Sequence, residues 1–332
     1  MLKHKLKQLL KRTLAVTGLY QILWKFIPNG VYVFNYHRIG NKNLCLFDRE
    51  VYSCTTDAFE EQCLFIKNNF TVISLNKLDD LLKSGEDKNT KYALITFDDG
   101  YIDNYSEAFP LLKKHNIPAT FYVATDFVSS NLIPWWDEIA FLLRNSQGES
   151  YQLPNHQQIF HLTPDTLESV INRIIYEAKR LVDVTVLDVL KDVRKTFPRA
   201  VALFQDTNHE LFMNWQQLNE MSLNGMMIGS HTLSHQVLSQ LSEDDQKQEL
   251  GESKHIIEHH LNQATESVVY PVGRMHCYTE ETCKFAELAG YHFAFNNEPG
   301  RITQISNRYD LNRFCIGSNE LRELKLNVLL HL

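Results

Sequence analysis

The chain is short of several things, and each shortage excludes a class of protein. None of its 6 cysteines forms a CxxC pair, which speaks against a thiolate zinc site. Their positions (Cys45, Cys54, Cys63, Cys277, Cys283, Cys315) suggest no disulfide framework, so free thiols in a reducing compartment are expected. No run approaches the ~20 apolar residues of a membrane span. The basic first residues lack the apolar core that a secretory signal needs. The expected location is therefore cytoplasmic, or peripheral at the cytoplasmic membrane face. There is no internal repeat and no low-complexity segment. Hydrophobic residues at 44% and charged residues at 22% exclude disorder over most of the chain and fit a globular protein.

Acidic residues are missing from positions 1–47, which hold eight basic ones: Lys3, Lys5, Lys7, Lys11, Arg12, Lys25, Arg38 and Lys42. The formal charge of the chain is −7, so this +8 leaves −15 on residues 48–332. An acidic body excludes nucleic acid as the main partner, because phosphate binding needs a basic face. Leu2, Leu6, Leu9, Leu10, Thr13 and Leu14 recur at helical spacing with lysines between them. They define a basic amphipathic helix in a segment spanning 1–28. Two roles stay open for it: peripheral contact with an anionic membrane, or packing on the domain with the lysines in solvent.

The body reads as alternating strands and helices. Residues 31–36 form a buried strand ending at His37 and Arg38. A helix at 57–69, a strand at 71–75, a helix at 78–83 and a strand at 92–97 follow. A helix at 104–115 and a strand at 119–123 continue the pattern. Between about 129 and 212 the rhythm breaks into a helical insertion, opened by Trp135-Trp136. Alternation resumes with helix 215–224, strand 226–229, helix 243–261, strand 267–270, helix 280–289, strand 292–295 and a last strand around Phe314. Such alternation implies a parallel sheet, open or closed into a barrel. The insertion is read as part of one domain spanning 29–320.

Three places carry chemistry, and two of them directly follow a predicted strand, where barrel active sites are built. Asp98 and Asp99 are adjacent acids after an apolar run. Two carboxylates there repel each other unless a cation compensates, and neighbours at a strand end point in different directions. One can bind a metal while the other faces a water. His231 and His235 are four apart, so a helical turn would put both imidazoles on one face. Two histidines and one carboxylate make a three-ligand site with open positions, the composition of a catalytic divalent centre. The donors suit zinc first, and also cobalt, nickel or iron(II). His255, His259 and His260 have similar spacing and are read as solvated. The third place is Tyr36-His37-Arg38.

These residues carry a resemblance. Thr96-Phe97-Asp98-Asp99-Gly100 and His231-Thr232-Leu233-Ser234-His235 resemble the first two motifs, TFDDG and H-[ST]-x-x-H, of the polysaccharide deacetylase family. This is the NodB-homology family, also called carbohydrate esterase family 4. Asn35-Tyr36-His37-Arg38-Ile39, Ile117-Pro118-Ala119-Thr120-Phe121-Tyr122 and Tyr270-Pro271-Val272-Gly273 also match. The likeness runs from about 31 to 318 apart from the insertion, and is nearest to the poly-N-acetylglucosamine deacetylase branch.

The resemblance implies a distorted (β/α)7 barrel that removes N-acetyl groups from the sugars of a polysaccharide or glycan precursor. The precursor would be a lipid-linked or nucleotide-linked sugar. It implies Asp99, His231 and His235 as metal ligands and Asp98 as the base on the attacking water. It also implies the Val272 N–H as an oxyanion donor and His37 as the acid for the leaving amine. The third motif, R-x-P-Y-G, departs: Val269 stands at the arginine and Val272 at the tyrosine. Arg313 is the first candidate to replace that arginine in space, with Arg274 and Arg38 as others. His331 is a poor counterpart of the family's late histidine. Tyr101, Trp135 and Trp136 are candidates to stack on sugar, while Trp215 reads as core. Two other readings stay open: a deformylase or amidase on a lipid-linked aminosugar, and a catalytically silent carbohydrate binder.

Overall fold

The longest apolar run of the sheet, Lys91–Phe97, is a strand buried along nearly its whole length. It pairs in parallel with Gly30–Tyr36 over seven residues, from Gly30 beside Lys91 to Tyr36 beside Phe97. A computed structural model describes residues 2–84, 90–130, 132–181, 184–206 and 210–332. Seven strands form its main parallel sheet: β1 Gly30–Tyr36, β2 Lys91–Phe97, β3 Thr120–Val123, β4 Met227–Ser230, β5 Ser267–Val269, β6 Phe293–Phe295 and β7 Phe314–Cys315. Their order is β6-β5-β4-β3-β2-β1-β7. Thr71–Val72 covers the start of β2 on the edge that β3 takes over at Thr96. The sheet curls as a half-barrel. Phe295 of β6 forms an isolated parallel bridge to Leu311, ahead of β7. No helix lies between β6 and β7, as the sequence reading had it, and helix Leu321–Leu329 follows β7.

Both faces of the sheet are covered, which is why its strands read as continuous apolar runs rather than alternating ones. Tyr32, Phe34, Tyr36, Ile95 and Phe97 point to one face and pack against the flanking helices. Val31, Val33, Tyr92 and Leu94 point to the other, with Val269, Phe293 and Phe295. The two-residue period carries this second face forward to Asn35, Thr96 and Asp98. Phe314 packs on the helix side, so its neighbour Arg313 faces inward as well. Alternation alone thus places one polar group from each of β1, β2 and β7 at the same end of the sheet.

The chain divides into two units, residues 1–40, 52–130 and 212–332, and residues 41–51 with 131–211. The second contains helices Trp135–Arg144, Leu167–Ala178, Val186–Thr196 and Pro198–Gln205. It also holds an antiparallel pair, Ser150–Gln152 with Ile159–His161, which the polar sequence there did not signal. Buried Glu138 takes both Arg194 nitrogens at 2.6 Å. Two boundaries differ from the sequence reading. The strand at 71 stops at Val72, and helix Leu75–Ser84 begins there instead. The helix expected over 104–115 is a π turn, Asn104–Ala108, followed by Phe109–Lys114 with Pro110 at its start. The six cysteines are free thiols.

The ring of Phe97 stacks on Phe121 at 4.6 Å and on Tyr36 at 5.5 Å. Phe97→Ala leaves a cavity beneath Asp98 and is expected to cost about 3–5 kcal/mol, read as a lowered urea-unfolding free energy.

Candidate active site

Because every strand of the sheet is parallel, all C-terminal ends open on one side. β1 ends at His37, β2 at Asp98 and Asp99, β4 at His231 and β5 just before Val272.

Asp98 is fully buried, and so is the arginine beside it. Arg313 Nη1 donates to Asp98 Oδ1 at 2.8 Å and Nη2 donates to Oδ2 at 2.7 Å. This is the paired geometry in which a guanidinium matches a carboxylate best. Asn35 Nδ2 donates to Asp98 Oδ2 at 2.9 Å, and Asn35 Oδ1 accepts from Thr96 and from Arg313. Burial pushes the Asp98 carboxyl up, but the Arg313 charge and hydrogen bonds outweigh it and hold the group below the usual carboxylate range. Of the three arginines considered from the sequence, only Arg313 meets Asp98. Arg38 is bound to Asp103 at 2.7 Å between the rings of Tyr52 and Tyr101. Arg274 donates to Asn297 O at 2.7 Å.

Asp99 turns away from Asp98 because its backbone is left-handed, with φ 74°. Gly100 follows at φ 83°, and a Cβ there would lie 2.9 Å from Val123 Cγ1, so only glycine fits. Asp99 Oδ1 lies 3.4 Å from His231 Nε2 and 3.3 Å from His235 Nε2. Three ligand atoms of these residues lie within 4.8 Å of one another. Ligands at about 2.0–2.1 Å from a tetrahedral ion are separated by about 3.3 Å, so the two carboxylate–imidazole distances already match a zinc-type donor set. His231 Nδ1 donates to Val269 O at 2.9 Å, which directs Nε2 toward Asp99. Burial opposes a charge on the ring, but the Asp99 and Asp98 carboxylates outweigh it and hold the imidazole above its ordinary pKa, so a metal would replace a proton there. One carboxylate and two imidazoles, with no fourth protein ligand among the described residues, fit a divalent ion with an open position.

The histidine pair does not converge through a helix, as its spacing had suggested. Residues 231–237 form a loop, and left-handed turns at Thr232 (φ 67°) and His235 (φ 58°) fold it back. Glu249, buried on helix Glu243–Leu261, holds this loop. Its Oε2 accepts from Leu233 N and Ser234 N, both at 2.9 Å, and its Oε1 accepts from the Ser234 hydroxyl. His231 N donates to Val123 O at 2.8 Å on the neighbouring strand.

His37 is half-buried, with Nε2 3.9 Å from Asp98 Oδ2. Its backbone is fixed on both sides: its N–H donates to Ser53 Oγ, and Asn104 Nδ2 donates to its carbonyl. Val272 has φ 61°, which a β-branched residue adopts only under strain. The turn leaves its N–H without an acceptor among the described residues. Asn297 joins this loop to Arg313: its Oδ1 accepts from Arg313 at 2.6 Å, and its Nδ2 donates to Val272 O at 3.2 Å.

The expectations for Tyr101 and Trp136 need correction, while Trp215 packs against the core as read. Tyr101 is fully buried, stacked on Phe212 at 4.8 Å, with the Arg38 guanidinium on it, so it offers no face to a sugar. Trp136 is buried in helix Trp135–Arg144, and half-buried Trp135 carries the Lys179 ammonium at 5.5 Å. Trp215 is stacked on His260 at 4.1 Å. Sequence reasoning missed Glu249 and Asn297. For Glu249 the signal was an acid in the buried stripe Gln246, Glu249, Leu250, Ser253, Ile257. Asn297 had none.

Glu249→Ala removes the acceptor of the Leu233 and Ser234 N–H groups that hold the histidine loop. It is expected to weaken divalent-metal affinity about 10-fold, read by titration with a chelator-buffered metal, and to lower the unfolding free energy by about 1–3 kcal/mol.

Comparison with known proteins places this geometry. The chain is 25% identical over 287 residues to the Bacillus subtilis protein YxkH, whose name carries a polysaccharide deacetylase description; the match spans 86% of this chain and 71% of that one. It is 29% identical over 116 residues to the poly-beta-1,6-N-acetyl-D-glucosamine N-deacetylase of Staphylococcus epidermidis, 32% of this chain and 40% of that one. Its fold matches the Streptococcus pyogenes deacetylase PplD with a TM-score of 0.59 at 21% identity, over 91% of this chain and 98% of that one. The sequence profile named Polysaccharide deacetylase matches residues 85–294, a span that includes the Asp98-Asp99 end of β2, the His231–His235 loop and the Val272 turn. The chain belongs to the polysaccharide deacetylase family.

Proposed function

We propose that the protein removes N-acetyl groups from N-acetylglucosamine-type sugars of a glycan or of a lipid-linked or nucleotide-linked precursor, with a divalent metal, zinc first, at Asp99, His231 and His235. The observation that carries this reading is the pairing of two buried, adjacent carboxylates with different partners: Asp98 with Arg313, and Asp99 with two imidazoles. The name of the Staphylococcus epidermidis relative supports the sugar class. When bound, the ion polarises the amide carbonyl and makes water nucleophilic near neutral pH.

The chain's residues supply the rest. Asp98, ionised and held on both oxygens, accepts the proton of the attacking water. The strained Val272 turn presents an N–H to the developing oxyanion. His37, partly open to solvent and 3.9 Å from Asp98, protonates the leaving amine. The departure from the family's third motif does not leave the base unsupported, because Arg313 occupies the orienting role. This speaks against one of the two motives for a silent binder, the missing motif arginine; the other was the missing late histidine.

The test is acetate release from N-acetylglucosamine oligomers by the metal-reconstituted protein. Asp98→Asn is expected to lower kcat about 10²–10⁴-fold while the metal content stays near one per chain. Equal rates would overturn the role of Asp98. Release of formate from an N-formyl sugar, with no acetate, would favour the deformylase reading.

A further inference from the structure

Large apolar side chains exposed one at a time are normal, but here they gather. Of the 21 exposed large hydrophobic residues among those described, eight lie between residues 6 and 26. They belong to helix α1, Leu2–Thr17, helix α2, Leu19–Trp24, and the turn after it. On α1, Leu6 is 66% exposed and Val16 88%, with Leu9 and Leu10 between them. At about 100° per residue these four and Thr13 fall in one arc of the helix. Leu14, Lys11 and Ala15, which are buried or half-buried, occupy another arc. Lys11 is tied to Glu323 of the last helix, Leu321–Leu329, at 2.5 Å. The pattern is the reverse of an ordinary surface helix: the apolar stripe faces out. Gly18, at φ 69°, then breaks the chain into α2. There Trp24 and Ile27 are buried, Trp24 bonding Asn69, while Leu19, Ile22, Leu23 and Phe26 are exposed.

The segment's own charge has one sign. Lys7, Arg12 and Lys25 flank the apolar residues, and no acid occurs before Asp48, against −15 on the rest of the chain. A second copy of the protein would bring two such basic segments together, which like-charge repulsion opposes. No described helix is long and apolar enough to cross a membrane. An apolar stripe rimmed by lysine and arginine suits a helix lying in the plane of a bilayer surface. We propose that α1 and α2 form a docking face for an anionic membrane surface. The proposal stands whether or not the substrate is the one named above.

The test uses the full chain and sedimentation with vesicles of phosphatidylcholine, alone or with roughly 30% phosphatidylglycerol. The wild type is expected to bind the anionic vesicles, to bind the neutral ones weakly, and to lose binding as salt rises. The exposed pairs Leu9→Glu with Ile22→Glu, and Lys7→Glu with Arg12→Glu, are each expected to weaken binding at least about tenfold while circular dichroism and unfolding temperature match the wild type. Equal or absent binding to both vesicle types overturns the proposal, and so do variants that bind like the wild type. A concentration-dependent dimer abolished by Leu9→Glu with Ile22→Glu also overturns it, because it assigns the face to a second copy.

Discussion

Two carboxylates side by side at one strand end, both out of water, are the constraint around which the rest of the site is arranged. Either one alone is costly to bury as an ion, and together they repel. The fold resolves this by giving each its own cation or proton donors. Arg313 faces Asp98 from β7, on the far side of β1, and the His231–His235 loop faces Asp99 from β4. Burial pushes both carboxyls up, but in each case the partners outweigh it, so both stay ionised well into the acid range. A metal at Asp99 would take over the compensating role of the imidazole protons there, whereas the Arg313 pair needs no ion.

The separation depends on backbone that is not regular. Asp99, Thr232, His235 and Val272 all have positive φ. Left-handed residues other than glycine cost free energy, and they persist only where surrounding contacts hold them. Those contacts are visible. Glu249 ties two N–H groups of the histidine loop, Val123 O anchors His231, and Asn297 braces the Val272 turn while it binds Arg313. Asn297 therefore links Arg313, the partner of Asp98, to the Val272 turn. The strain at four points and the buried polar groups that fix them belong to one device, which sets the direction of each reactive group before substrate arrives.

Much of this was readable in the sequence, for identifiable reasons. Parallel strands covered on both faces leave long apolar runs, so β1 and β2 and the acids at the end of β2 stood out. The spacing of His231 and His235 marked them as a pair, but the path that joins them is a left-handed loop and not the helical turn inferred from spacing. Arg313 was reachable only as a candidate. Its contact with Asp98 spans 215 residues and depends on the order β2-β1-β7, which no local pattern carries. Tyr101 was misread because an aromatic after a catalytic loop serves a core as readily as a sugar platform. The hairpin at Ser150–Gln152 and Ile159–His161 escaped notice because its segments are short and polar.

The central claim is that Asp98 acts as a base because Arg313 holds it ionised and oriented, independently of the donor cluster at Asp99. The most direct measurement is kcat for acetate release by Arg313→Gln, with metal content determined on the same folded sample. The account predicts a fall of about 10²-fold or more with metal still bound at the wild-type level. An unchanged kcat, or a loss of metal that by itself explains the fall, would contradict it.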